Sequence, residues 1–427
     1  MFKVFIGWKY IMNLGNYIGE RHQYIWSDNW FLENDRAWFI SGSMNVLFCF
    51  ERRTQKTTLI DKIPPDIVGA LRLHSRCLKI REVIYCLPDN GKDIWCYHLD
   101  KCKWTSISID GSVETRIGCN NAWVIQDTLY VVSSGLKRII EINAITEKVE
   151  AFYRLSLDQE ECITGSVLID DQIYVVGAKT SVIYKFNTYS KQIKSYKLPL
   201  NNEQLQTICF DGRKFWMSGR KKKIYIWEEG KKDVVILSKF PENLKIWNFS
   251  GKFDNLMNSI NDDFNDFPLF ISSITVGDYV WFIPFQTNNI IYINKNDFEM
   301  NIFPIKEEEH TEENVKKQFL QHKYLLEYIK DKRYLGIFSL KNKWLFEIDC
   351  IELKYEILDY SIDNSEDIKS YYIAEGLMKN NSTISEQKEL NVEDWIKAFI
   401  SKYKKKLVVG CDYKEISVGN SIYNEIL

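Results

Sequence analysis

One short pattern recurs along most of this chain and limits what it can become. Apolar runs at residues 37–40, 83–86, 128–131, 172–175, 214–217, 279–282 and 333–336 share a position, filled by Trp38, Tyr85, Tyr130, Tyr174, Trp216, Trp281 and, in the last, Leu335. From Trp38 to Trp216 the successive spacings are 47, 45, 44 and 42 residues. Roughly ten residues after each anchor comes a second run: Leu47-Phe48, Ile94-Trp95, Ile139-Ile140, Ile183-Tyr184, Ile224-Tyr225, Ile290-Ile291 and Leu345-Phe346. Two such runs separated by polar and turn-forming residues make a hairpin.

A preceding and a following run, 122–125 and 149–152 in the third unit, complete four antiparallel strands per repeat. A sheet of that size cannot bury both faces alone, so neighbouring repeats must stack on it. This explains continuous apolar runs such as 129–132 in place of strict alternation. A β-sandwich would not hold one aromatic register over seven units, and a solenoid would use a shorter repeat. The expected fold is all-β: a seven-bladed β-propeller of four-stranded antiparallel blades, with short helical insertions near the C-terminus.

The expected organisation is an N-terminal segment (1–27), seven repeats (28–360) and a helical insertion and tail (361–427). Two interruptions fall within the repeats. Residues 241–268, rich in Asn and Asp, read as a long loop, and residues 306–322 as an exposed helix with Glu placed ahead of Lys. After the repeats, Asn391 and Asp394 precede Trp395, Ile396, Phe399 and Ile400 at helical spacing, the pattern of a capped amphipathic helix docking on the flank of the ring. A ring must tie its first blade to its last. The tail, residues 416–427, is the expected tie because Gly419 to Tyr423 echoes the hairpin at Thr180 to Tyr184; residues 2–8 are the other candidate.

The chain has 45% hydrophobic residues, enough for a core of this size, and its 56 basic against 58 acidic side chains leave a net charge of −2. Nothing in that balance favours nucleic acid or an anionic membrane. Ten cysteines are scattered without regular spacing, and Cys49, Cys86, Cys96, Cys209 and Cys350 fall in expected strands. They read as reduced core residues in a cytoplasmic protein. No signal peptide or spanning segment is expected. Abundant Lys, Asn and Ile suggest an AT-rich, bacterial genome.

The repeats resemble the kelch type of propeller. Gly177 followed by Tyr184, Gly219 by Tyr225 and Gly42 by Phe48 match its glycine-to-tyrosine spacing, although one glycine stands where that family has two, and Pro88 or Pro284 replaces it elsewhere. The resemblance implies a fold superfamily whose members mostly serve as interaction platforms, with some enzymes among them.

Propeller geometry puts the start of each inner strand and the turn between second and third strands on one face. Nine residues before the anchors stand Asn29, Arg76, Asn121, Gly165, Thr207, Ser272 and Leu326, with Asp28, His74, Asn120 and Ser273 beside them. These are expected to ring the channel mouth, where Asn29, Arg76, Asn120, Asn121, Thr207 and Ser272 could bind a sugar, a peptide or ordered water. Turns on that face carry Lys92, Lys137, Arg138, Lys179, Arg220, Lys221, Lys222, Lys223, Lys341 and Lys343, opposed by Asp89 and Asp93. Arg138 and Arg220 join the candidate ligand contacts.

No metal spacing, phosphate loop or nucleophile elbow is present, and no cofactor is expected. His74, Arg76 and Asp28 are the candidate acid–base set. The leading expectation is a non-catalytic binding scaffold for an anionic, glycan, peptide or protein ligand. The alternative is a propeller enzyme acting on a glycan or peptide at the central funnel.

Overall fold

The computed structural model describes residues 30–41, 45–64, 73–109, 117–156, 161–201, 203–247, 253–255, 268–285, 287–305, 324–339, 344–358 and 361–362. The chain divides at Asp363, and all described residues belong to the first unit. They form seven antiparallel four-stranded blades, each built from consecutive strands. The blades span 31–62, 74–108, 119–154, 163–197, 205–237, 270–303 and 324–358.

Each first hairpin turns through a left-handed residue: Asn34, Arg81, Gln126, Asp170, Gly212, Gly277 and Asp331. Such corners match the twist of the strands they join. Inner strands of neighbouring blades touch one another from blade seven through blade one to blade six, and the inner strand of blade seven meets the second strand of blade six. Between adjacent blades lie separate apolar clusters, such as Trp38, Cys49, Cys77 and Cys86 between blades one and two, and Trp281, Ile283, Leu335 and Phe346 between blades six and seven.

The repeated aromatic reaches across the seam to the turn between third and outer strands of the next blade. Tyr85 donates to the Ala144 carbonyl at 2.9 Å, Tyr130 to that of Thr188 at 3.4 Å, and Tyr174 to Glu229 Oε2 at 2.6 Å. Trp216 instead meets the Phe298 ring at 5.8 Å. A large ring with a polar tip suits a seam that is apolar inside and wet at its rim.

The seventh blade departs from the sequence expectation. Its pairing makes Gly336, not Leu335, the equivalent of the other anchors. The missing ring comes from the neighbouring strand: a Cβ on Gly336 would lie 2.3 Å from Cε1 of Tyr328. Tyr328 donates to Glu347, the residue opposite Gly336, at 2.8 Å, just as Tyr130 meets its opposite residue Glu141 at 3.2 Å.

Closure between blades seven and one is mostly side-chain work. Trp30 stacks on Phe39 at 4.3 Å and approaches Tyr328 at 6.2 Å. Arg52, in the last turn of blade one, donates to the Glu347 carboxylate of blade seven. The pair Ser361–Ile362 adds a fifth strand, parallel to the outer strand Lys56–Lys62 of blade one. Residues 2–8 and 416–427, the segments expected to tie the ring, lie outside the described residues, as do 306–322 and 391–400.

Within 241–268, where the sequence reads as loop, Lys245–Trp247 pairs antiparallel with Phe253–Asn255. Leu244 and Ile246 are buried among Phe240, Leu269 and Phe282, and Lys245 bonds to Asn288 in the second-to-third turn of blade six. Two apolar residues in a polar segment are enough to anchor it.

Candidate channel-mouth site

Inner strands start where second strands end, so the expected shared face is present in the pairing. His74 faces Pro88, Ile163 faces Gly177, Leu205 faces Gly219 and Phe270 faces Pro284. A β-bulge follows each of these pairs, and Arg76, Thr207 and Ser272 are the first residues to pair again beyond it. In blade four Gly165 lies inside the irregular stretch and Ser166 resumes pairing. A bulge re-aims the side chains beside it. Because the same irregularity recurs, positions far apart in sequence take one attitude around the ring.

Three of these inner strands are joined by polar side chains. Arg76 Nη1 donates to Asn121 Oδ1 at 2.8 Å, and Asn121 Nδ2 to the Ser166 carbonyl at 3.4 Å. Thr164, in the blade-four bulge, donates to the Leu205 carbonyl at 3.1 Å. Arg76, Asn121 and Ser272 are half-buried. Thr207 is 2% exposed and shares a bond with Ser218 Oγ at 2.9 Å inside its own blade. Asp28 and Asn29 lie outside the described residues, as does the side chain of Asn120.

His74 is fully buried, with Nδ1 3.0 Å from Asn45 Oδ1 and Nε2 3.0 Å from the Asp93 carbonyl. The ring ties a turn of blade one to the third strand of blade two.

Acidic residues absent from the sequence-derived site sit directly beneath the basic turns. Glu161, 1% exposed, accepts from the backbone N–H groups of Cys162 and Lys179, at 3.0 and 2.8 Å, and from the Thr180 hydroxyl. Glu203, 4% exposed, pairs with Lys221 at 3.2 Å. Burial, with Glu203 next to it, pushes the Tyr225 phenol well above its ordinary value. Both glutamates stand two residues before an inner strand, a spacing that could have flagged them in the sequence. Arg138 lies over the Phe152 ring at 5.6 Å, and Arg220 donates its N–H to the Gln204 carbonyl.

Gly177 and Gly219 stand where there is no room for a side chain. A Cβ on Gly177 would stand 2.8 Å from Glu161 Oε2, and one on Gly219 would stand 2.2 Å from the Gln204 carbonyl oxygen. Equivalent backbone bonds clamp five blades: Asp89 to Leu73, Ser134 to Gly118, Ala178 to Cys162, Arg220 to Gln204 and Phe285 to Leu269, at 2.7 to 3.1 Å.

The opposite face is built differently. Its first turns carry Asp35, Glu82, Asp127, Asp170, Asp171, Asp278 and Asp331. Seams there are closed by carboxylates: Glu141 accepts from Tyr130, Tyr153 and Lys191, and Glu229 accepts from Tyr174, Lys185 and Tyr196. Burial alone would raise Glu141, but the bonds from Lys191 and Tyr153 outweigh it and hold it below its ordinary range. Burial first, and then the Glu141 bond, push Tyr153 up to about 12.

Among the described residues no group of His, Cys, Asp and Glu could hold a metal ion, and no helix is long and apolar enough to cross a membrane. The nine cysteines described are thiols, not joined in disulfides. Of the five expected in strands, Cys350 instead follows its strand, Leu345–Asp349, as a buried turn residue.

No protein-family model and no curated protein matches the chain. Among solved structures it is similar to streptogramin B lyase, at 12% identity and TM-score 0.49 over 75% of this chain and 89% of that one. PorZ, a surface component of the type-IX secretion system of Porphyromonas gingivalis, gives 10% identity and TM-score 0.47 over 78% of this chain and 37% of that one. BamB from Moraxella catarrhalis gives 10% and 0.46 over 74% and 82%. At such identities a likeness extends to the blade architecture alone.

Proposed function

We propose that this protein is a non-catalytic binding scaffold whose channel-mouth face receives an anionic ligand, a glycan or an acidic peptide. The observation that carries this reading is the Arg76–Asn121–Ser166 connection across three inner strands. It holds a guanidinium and an amide half-buried on rigid strands, where donors keep their directions and a ligand need not order them. Buried glutamates under the turns at Lys179 and Lys221 fix those turns, so the face offers a shaped rim as well as positive charge. Enclosure of His74 between Asn45 and Asp93 favours a structural role for that ring over acid–base work. Single glycines at 177 and 219 support a kelch-like ancestry, and buried thiols support a reducing, cytoplasmic setting.

The test is calorimetry of the full chain against a panel of neutral oligosaccharides, sulfated oligosaccharides and acidic peptides. Loss of a charge-assisted bond is worth about 1.5–3 kcal/mol, so Arg76→Ala should weaken the ligand by at least about tenfold. Asn121→Ala should weaken it less, and Lys194→Ala on an outer strand should leave it unchanged. A ligand bound equally well by Arg76→Ala would defeat the proposal.

A further inference from the structure

We infer that the outer edge of the fifth blade is a strand-addition site for an extended peptide with consecutive β-branched residues between acidic flanks. The outer strand there is Val234–Leu237. Among the described outer strands it alone is wholly apolar; the others include a Lys, or in blade six an Asn. Lysine at such an edge is the usual protection against pairing with another chain.

Val234 packs on the core between blades four and five and Leu237 on that between five and six. Between them Val235 and Ile236 are 46% and 47% exposed. Adjacent residues of a strand point to opposite faces, so apolar surface is open on both sides of the edge. Among the described residues only one side of the strand is paired, to Ile224–Trp227. Alternate residues therefore turn their N–H and C=O groups outward. An added strand would satisfy those groups and cover both side chains.

The same molecule shows that a blade accepts a fifth strand, since Ser361–Ile362 pairs along the outer strand of blade one.

Charge selects the occupant. Exposed Lys231 and Lys232, followed by exposed Asp233, precede the strand, and exposed Lys239 follows it, a surplus of positive charge. A second copy pairing antiparallel through this edge would set Lys232 opposite Lys239, and parallel pairing would set each lysine beside itself. Both arrangements repel. A peptide with Asp or Glu on both sides of its β-branched centre meets those lysines favourably.

The test uses a fluorescein-labelled peptide, Asp-Glu-Val-Thr-Val-Ile-Glu-Asp, and a second with proline in place of the central Thr, titrated with the full-length chain by fluorescence polarisation. The first should bind saturably, and the proline peptide should bind at least about tenfold more weakly because a ladder donor is lost and the strand is bent. Ile236→Lys should reduce affinity by a similar factor. Lys231→Glu/Lys232→Glu/Lys239→Glu, which leaves the strand itself intact, should cost about fivefold and abolish the weakening by added salt. Ile357→Lys and Phe152→Lys, on other outer strands, should bind as the parent does. Equal binding of the two peptides, indifference to Ile236→Lys, or equal loss in Ile357→Lys would overturn the inference. So would a concentration-dependent dimer abolished by Ile236→Lys, which would identify a second copy as the occupant.

Discussion

Removing Arg52 is the most direct assay of how this ring is held shut. Its guanidinium meets a Glu347 carboxylate that also accepts from Tyr328, and the two ion-pair side chains are 13% and 4% exposed. Breaking a buried pair from one side leaves a stranded charge and costs about 3–5 kcal/mol. Arg52→Ala should therefore lose about 3–5 kcal/mol. With an unfolding entropy of about 2.1 cal/mol/K per residue over ~330 residues, that is a fall in melting temperature of about 4–7 °C. Arg81→Ala supplies the contrast: its pair with Asp127 also joins two blades, but with side chains 64% and 41% exposed. Such a pair is worth less than about 1 kcal/mol. Calorimetric melts of both variants at pH 7 decide the matter. Equal losses in the two variants would refute the reasoning.

Three further outcomes are expected. Gly219→Ala should destabilise by about 2 kcal/mol or more, because its methyl group meets a backbone carbonyl that cannot retreat; an unchanged urea midpoint would contradict this. Gly336→Ala and Tyr328→Ala should each destabilise, yet the double variant should be less damaged than their sum, since removing the ring makes room for the methyl; additivity within about 0.5 kcal/mol would deny the substitution of one ring for another. Glu141 is held below its ordinary range in the folded state, so the stability it gives is present above that range and disappears as pH falls through the lowered value. Urea midpoints of the parent and Glu141→Gln should differ at pH 7 and converge in acid. Raised Lys191 reports the same contact from its other end, and its share is lost only above its ordinary value of 10.5. A gap persisting at pH 2 would argue against the assignment.

The repeat was legible because Trp38, Tyr85, Tyr130, Tyr174, Trp216 and Trp281 fill the same kind of seam at one spacing. Where another strand supplies the ring, as Tyr328 fills the space above Gly336, counting along the chain landed one residue away, on Leu335. Polar positions on the inner strands were also legible from counting. Their partners were not: Arg76 meets Asn121 only because two bulges bring separate blades to the same attitude. Glu161 and Glu203 share a spacing, two residues before an inner strand, that gains meaning only from their burial. Anchoring of 241–247 through Leu244 and Ile246 was hidden by polar neighbours.

Among the described residues each blade is one uninterrupted stretch of sequence, with no full strand exchanged between first and last. A single cut in a connector, at 157–160 for instance, would therefore divide the protein into two arcs of whole blades. Each arc would present the apolar flank its counterpart requires, which suits the chain to assembly from two separately produced halves.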